Sequence, residues 1–190
     1  MIGEHVLVTG GAGFIGSHLS EALLARGHRV TVLDDLSTGR AANLAQATGV
    51  RLLVGSVVDQ ETLRQAMSGV SVVFHLAAVP SVPRSVKEPL LSHQANATGT
   101  LTVLETAREC GVERVVYAAS SSAIGEVGDI SRTETLAAHP RSPYAVAKYA
   151  GELYGRVYWE IHRLPVVSLR YFNVRSAEHT SELQSPCNLV

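Results

Sequence analysis

Apolar and polar positions alternate along this chain in blocks. Short apolar runs, four to eight residues long, are separated by stretches with helical spacing or by polar turns. The first run, His5-Val-Leu-Val, leads into Thr9–Gly16, and a helical stretch from Ser17 to Arg26 leads out, with Gly27 placed to cap it. Further strands are expected at Arg29–Asp34, Val50–Gly55, Ser71–Ala78, Glu113–Ala119 and Pro165–Phe172. Helices are expected at Gln60–Met67, behind an Asp59 N-cap, and from about Pro89 to Cys110, stopped by Gly111. A third runs to about His162 from Ser142-Pro143, a polar cap followed by proline at the first helical position. Asp35–Asn43 and Ser120–Pro140 read as polar loops, and Pro80 and Pro83 read as breaks. Ser71–Ala78 is apolar on both faces, as a buried parallel strand must be. Strands alternating with helices predict one α/β domain, a doubly wound parallel sheet with helices on both faces, over residues 1–174.

Composition changes this picture little. With 190 residues, 46% of them hydrophobic, the chain is long enough for a real core. A net charge of −1 gives no reason to expect nucleic acid or an anionic membrane as partner. No apolar run approaches the ~20 residues of a membrane span, and the first residues run straight into a strand, so no signal peptide is expected. Cys110 and Cys187 form no CxxC and suit a reducing compartment, the cytoplasm. The eight histidines show no metal-ligand spacing, so no metal is expected.

The first turn carries chemistry. Thr9–Gly16 reads TGGAGFIG, a glycine pattern between strand and helix, which is the context for dinucleotide binding. Gly10 permits the tight turn, Gly13 lets the backbone approach a pyrophosphate, and Gly16 lets helix and strand pack closely. The helix N-terminus offers N–H groups and a positive dipole end to the phosphates. Asp34 closes the second strand 18 residues after Gly16. Its carboxylate can accept from the ribose hydroxyls and repels a 2′-phosphate, which favours NAD over NADP.

Tyr144 and Lys148 stand four residues apart on one helix face. A lysine charge there is expected to lower the phenol's pKa and make Tyr144 a usable base near neutral pH. Lys148 could also hold the nicotinamide ribose. The cluster Ser120-Ser121-Ser122 falls where the C-terminal end of the fifth strand opens into the crevice, and a hydroxyl there could bond the reacting oxygen. Alternatively, the serines are loop or capping residues, and the tyrosine–lysine pair lies on a helix surface.

TGGAGFIG, Asp34, HLAA at 75–78, Asn96 followed by Gly99-Thr100, SSSA at 120–123, YAVAK at 144–148 and RYFN at 170–173 occur in that order. Together they resemble the extended short-chain dehydrogenase/reductases, the NAD-dependent epimerase/dehydratase family, most like its UDP-glucose and UDP-N-acetylhexosamine 4-epimerases. The resemblance covers about residues 5–174. It implies a Rossmann fold, NAD as cofactor, a UDP-hexose as substrate and a homodimer for the full-length form. It also implies that Gly10, Gly13, Phe14, Ile15 and Gly16 hold the diphosphate, with Asp34, Ser37 and Thr38 at the ribose. Ser56 and Val57 would meet adenine, while Leu76, Ala77, Ala78 and Asn96 would line the cofactor. Ser121 best matches the catalytic serine, counted back from Gly125 with one deletion, and Ser122 is the fallback and a substrate contact. Tyr144 and Lys148 match base and partner. Phe172 and Asn173 match the start of the nicotinamide and substrate contacts.

Departures from the pattern are Ser56, where the family usually has Asp, and the missing tyrosine between Ile124 and Gly125. Ala123 stands where related dehydratases and decarboxylases carry an acid, which favours an epimerase. The segment Pro80–Val86 resembles epimerases acting on N-acetylated or uronic sugars. Other activity of the family on a sugar or steroid, and a non-catalytic NAD-binding regulator, remain alternatives. Arg175–Val190 has no periodicity and resembles a translated sequencing adapter, RSEEHTSELQS, differing over that stretch only at Ala177. Residues 175–190 are therefore expected to be a non-native tail. The natural protein is expected to continue into a smaller substrate domain, largely missing here, so that the chain as given is inactive.

Overall fold

The computed structural model describes residues 3–125 and 133–174. Expectations for residues 175–190, Cys187 among them, lie outside the described residues. In chain order the elements are β1 (His5–Thr9), α1 (Phe14–Ala25), β2 (Arg29–Asp34), β3 (Arg51–Val54), α2 (Gln60–Met67) and β4 (Val72–His75). There follow α3 (Val82–Lys87), α4 (Pro89–His93), α5 (Gly99–Glu109), β5 (Arg114–Ser120), α6 (Pro143–His162) and β6 (Val166–Tyr171). All strand pairs are parallel, in the order β3-β2-β1-β4-β5-β6. The order reverses between β1 and β4, and a crevice at the C-terminal ends of the strands follows from that reversal.

Period-two alternation divides the core between the two faces. Val6 and Val8 of β1 pack with Val30 and Val32 of β2 and with Leu23 of α1. Leu7 and Leu33 point the other way, to Leu63 and Met67 of α2, Val103 and Leu104 of α5 and Tyr158 of α6. Burial on both faces is why these strands carry apolar residues almost without interruption. Helix α6 is capped by the Ser142 hydroxyl, which accepts from Ala145 N at 3.1 Å. It is tied to the sheet edge by the Arg170 guanidinium, which donates to both Glu152 oxygens at 2.8–3.1 Å.

Two expectations need correction. Pro80 and Pro83 do not simply break the chain. The Ser81 hydroxyl accepts from Arg84 N at 3.1 Å and starts α3, with Pro83 in its first turn, where a missing N–H is harmless. The stretch from Pro89 is not one uniform helix either. A π turn at Gln94–Thr98 joins α4 to α5. Within it the Asn96 amide accepts from Val79 N and donates to Val79 O, both at 3.1 Å, and also donates to Ser92 Oγ at 3.2 Å. The demand of Asn96 for these partners, made away from the regular ladder, accounts for the widened turn.

Two buried histidines make this fold acid-sensitive. His75 has no solvent exposure, and burial, with the Lys148 charge, brings its pKa down to about 3. His5 is lowered too, first by burial, then by Arg29 and Arg51. Both groups take a proton in the unfolded chain at pH values where the folded chain resists it. Stability is therefore full above about pH 6.5 and is lost as pH falls towards 3. Urea midpoints measured between pH 7 and 5, where most carboxylates stay ionised, should fall, with His75 contributing on the order of 1 kcal/mol per pH unit. A midpoint constant over that range would contradict the buried neutral histidines.

Candidate cofactor and active site

The turn after β1 lies against the turn after β4. Gly10 has φ +69, and a Cβ there would stand 2.6 Å from Ala77 N and 2.7 Å from Ala77 Cα. Only glycine fits both the backbone and the space. At Gly16 a Cβ would collide with the Gly10 carbonyl oxygen, so α1 can start this close to β1 only without a side chain. The turn is also held by hydrogen bonds. Gly10 N donates to Leu33 O at 2.8 Å, Ala12 N to Asp34 Oδ2 at 2.9 Å, and Asn43 Nδ2 to Ala12 O at 2.8 Å. Gly13 caps α1 with no side-chain oxygen, and no acid stands in the first turn. The first-turn N–H groups of α1 thus meet no capping side chain, which suits a diphosphate.

Asp34 has a larger structural share than its expected role implied. One carboxylate oxygen takes Ala12 N and the other takes Leu36 N at 2.9 Å, so it ties the glycine turn to the end of β2. Each oxygen keeps accepting capacity for a ribose hydroxyl. Ser37 follows at the surface, donating through N and Oγ to Asp35 Oδ1, and Thr38 is exposed beside it. A cleft outside β2 and β3 is lined by Asp35, Ser37, Ser56, Val58, Val79 and Arg84. Val57 does not line it, because its side chain belongs to the core cluster under α5. Leu76, Ala77 and Ala78 lie half-buried along the chain leaving β4. Asn96 has no exposure, and its amide is spent on Val79 and Ser92. It holds the segment beside the crevice and does not face it.

At the end of β5 the structure brings a neighbouring serine to the phenol. The side chain that hydrogen-bonds the Tyr144 phenol is Ser120, not Ser121. The reason is local: β5 runs to Ser120, and the chain then tightens into a 3₁₀ turn over Ser121–Ala123 that Ser120 caps, accepting from Ser122 N at 3.2 Å. Ser120 Oγ also pairs with Ser122 Oγ. Phe172 and Asn173 follow β6 and are exposed.

The electrostatics differ from expectation as well. The Tyr144 phenol is pushed up, not down, by burial, and the Ser120 bond only partly offsets this. Lys148 does not act on it because the ammonium is turned inward, donating to Ala118 O at 2.9 Å and lying over the Tyr117 ring. Burial brings Lys148 down to about 8. Among the described residues, no group of three or more His, Cys, Asp or Glu side chains could hold a metal ion, and no helix is long and apolar enough to cross a membrane.

The chain is 41% identical over 173 residues to a UDP-glucose 4-epimerase of Mycolicibacterium smegmatis, covering 88% of this chain and 55% of that relative. Among solved structures it resembles a Thermus thermophilus UDP-glucose 4-epimerase in complex with NAD, at 43% identity and TM-score 0.83, covering 92% of this chain and 58% of that one. It also resembles a Methanobrevibacter ruminantium UDP-N-acetylglucosamine 4-epimerase in complex with UDP-N-acetylmuramic acid. There the identity is 36% and the TM-score 0.88, covering 93% of this chain and 57% of that one. The chain thus spans little more than half the length of the relatives it matches. The NAD dependent epimerase/dehydratase family matches residues 6–188, and with the glycine turn, the parallel sheet and the Ser120–Tyr144 pair in place, this chain belongs to that family.

Proposed function

We propose that this chain is the NAD-binding part of a UDP-hexose 4-epimerase. The observation that carries this reading is the Tyr144 phenol hydrogen-bonded to Ser120 at the C-terminal edge of the sheet, across the crevice from the glycine turn. A tight turn lacking side chains, first-turn N–H groups and the remaining acceptor capacity of Asp34 fit a dinucleotide. In this reading Gly10–Gly16 hold the diphosphate and Asp34 the adenosine ribose, with Ser37, Thr38 and Ser56 near the adenosine. A bound NAD would supply a hydride acceptor and donor for C4 of the sugar. Tyr144 removes the C4 hydroxyl proton and gives it back, while Ser120 fixes the reacting oxygen and Ser122 fixes Ser120. Lys148 orients the nicotinamide ribose. Phe172 and Asn173 extend the pocket towards the sugar. Ala123 stands where related dehydratases and decarboxylases carry an acid, which supports an epimerase over a dehydratase.

The proposed assembly is a homodimer. Val146, Leu153, Val157 and Ile161 form an exposed apolar stripe on α6 at helical spacing, a face that a second copy would cover. The proposed compartment is the cytoplasm, in keeping with an exposed free thiol at Cys110.

The functional test adds NAD and UDP-galactose to the purified chain, and to the chain joined to the second half of the M. smegmatis relative. UDP-glucose formed without net NADH supports the proposal, and Tyr144→Phe should slow it by ~10²-fold or more. NADH accumulation in step with turnover would point to net oxidation, and NAD binding without turnover in both proteins to a regulator. Gly10→Ala forces a side chain into a positive φ and against Ala77, so the affinity for NAD, read by fluorescence quenching, should fall about tenfold or more. In sedimentation, Val157→Glu should convert a dimer to a monomer, and a monomeric wild type would remove the dimer proposal.

A further inference from the structure

Lys148 is buried, and among the described residues no carboxylate pairs with its ammonium. A lone buried ammonium is costly unless something else receives its field. Ala118 O takes one of its donors at 2.9 Å. The second receiver is aromatic, for Nζ stands 5.1 Å from the centroid of the Tyr117 ring, within cation–π range. The same tyrosine donates from Oη to Lys148 O at 3.2 Å, holding the turn of α6 that carries the lysine.

The Tyr117 ring is itself held in place. His75 stacks on it, with centroids 5.6 Å apart and planes 20° from parallel. The protons on His75 follow from its partners. Thr100 Oγ1 donates its hydrogen to Asn96 O at 2.6 Å, so it must accept from His75 Nε2 at 3.0 Å. Nδ1 therefore carries no hydrogen and accepts from Thr9 Oγ1 at 2.8 Å, while Thr9 accepts from Ala77 N at 3.3 Å. The imidazole is the neutral Nε2–H tautomer with both nitrogens engaged. A second cation in the stack would oppose Lys148, and the burial of His75 prevents it.

We propose that Tyr117, backed by neutral His75, is a positioning residue for Lys148, its ring face receiving the ammonium and its hydroxyl fixing the helix turn. Its importance to the reaction rests on the role given to Lys148 above. The charged and titratable groups around the pair are Tyr144 and Glu152 from α6, Arg170 from β6, paired with Glu152, and His75 from β4. None of these supplies a counter-charge to Nζ within ion-pair distance.

The chain has two lysines, Lys87 and Lys148, so lysine labelled with ¹³C at Cε gives two NMR signals, assigned by Lys87→Arg. In the wild type the Lys148 signal should titrate near 8. Tyr117→Leu removes the ring face and should lower that midpoint by about one pH unit, a tenfold change. Tyr117→Phe keeps the ring and should restore it to within about 0.3 unit. A Tyr117→Leu midpoint equal to wild type, or equal shifts in both variants, overturns the proposal, because a merely structural tyrosine would change stability and leave Lys148 alone. Should Tyr117→Leu not fold, the wild type decides: its Lys148 ε-protons should be shifted upfield by the ring, and an unshifted signal overturns the proposal. Neither measurement uses NAD or sugar, so their failure leaves the epimerase reading standing, and absent turnover leaves this one standing.

Discussion

The contact on which the crevice depends is the approach of Gly10 to Ala77. The two strands meeting there, β1 and β4, feed opposite halves of the sheet, and their turns diverge from a point with no room for a methyl group. Such closeness needs support, because parallel strands leave their C-terminal carbonyls and amides to whatever lies beyond the sheet. The support is polar and buried. Thr9, His75, Thr100 and Asn96 form a continuous hydrogen-bonded series from the end of β1, through β4, to the π turn, and Asn96 returns to Val79. Every member is satisfied, so the network fixes one arrangement and does not merely fill space. The segment Leu76–Val79 is thereby anchored at Ala77 by Thr9 and at Val79 by Asn96.

Burial sets the chemistry of the reacting groups in opposite senses. It raises the Tyr144 phenol and lowers the Lys148 ammonium, so at neutral pH the tyrosine stays protonated and the lysine mostly charged. Among the described residues, the Ser120 hydroxyl draws the phenol back down. A tyrosine this reluctant to ionise does not deprotonate substrates indiscriminately. In the proposed function it becomes a base only beside further positive charge, which ties proton removal to occupancy of the crevice.

The parallel sheet, both helical faces and the α6 cap were legible because each rests on local signals: apolar runs, a Ser-Pro start and glycines at fixed offsets. Element ends shifted by one to three residues, as cap geometry rather than periodicity sets them. What stayed illegible depended on contacts across the fold. The π turn reflects a partner for Asn96 that lies 17 residues away in sequence. The inward turn of Lys148 reflects a carbonyl 30 residues away. Four-residue spacing places Tyr144 and Lys148 on one face, but it says nothing about which way either polar end points. The Ser120–Tyr144 bond stayed illegible for the same reason, since it joins the end of β5, in register with β6 as far as Ser120 and Tyr171, to a phenol 24 residues on.

That register bears on which reaction the site can run. With Ser120 at the phenol, the next two side chains along the 3₁₀ turn are Ser121 and Ser122, and the second bonds back to Ser120. Elimination of water from a sugar requires a group that gives a proton to the departing oxygen in addition to the base at C4. A serine hydroxyl with an ordinary alcohol acidity does not perform that transfer near neutral pH, and here it is already engaged with its neighbour. Inversion at C4 asks for less. One proton leaves and returns through one phenol, and the remaining hydroxyls need only hold the oxygen in place. In the proposed function, a site that among the described residues offers one phenol at the end of β5, a serine pair beside it and a lysine turned inward is matched to that lesser demand.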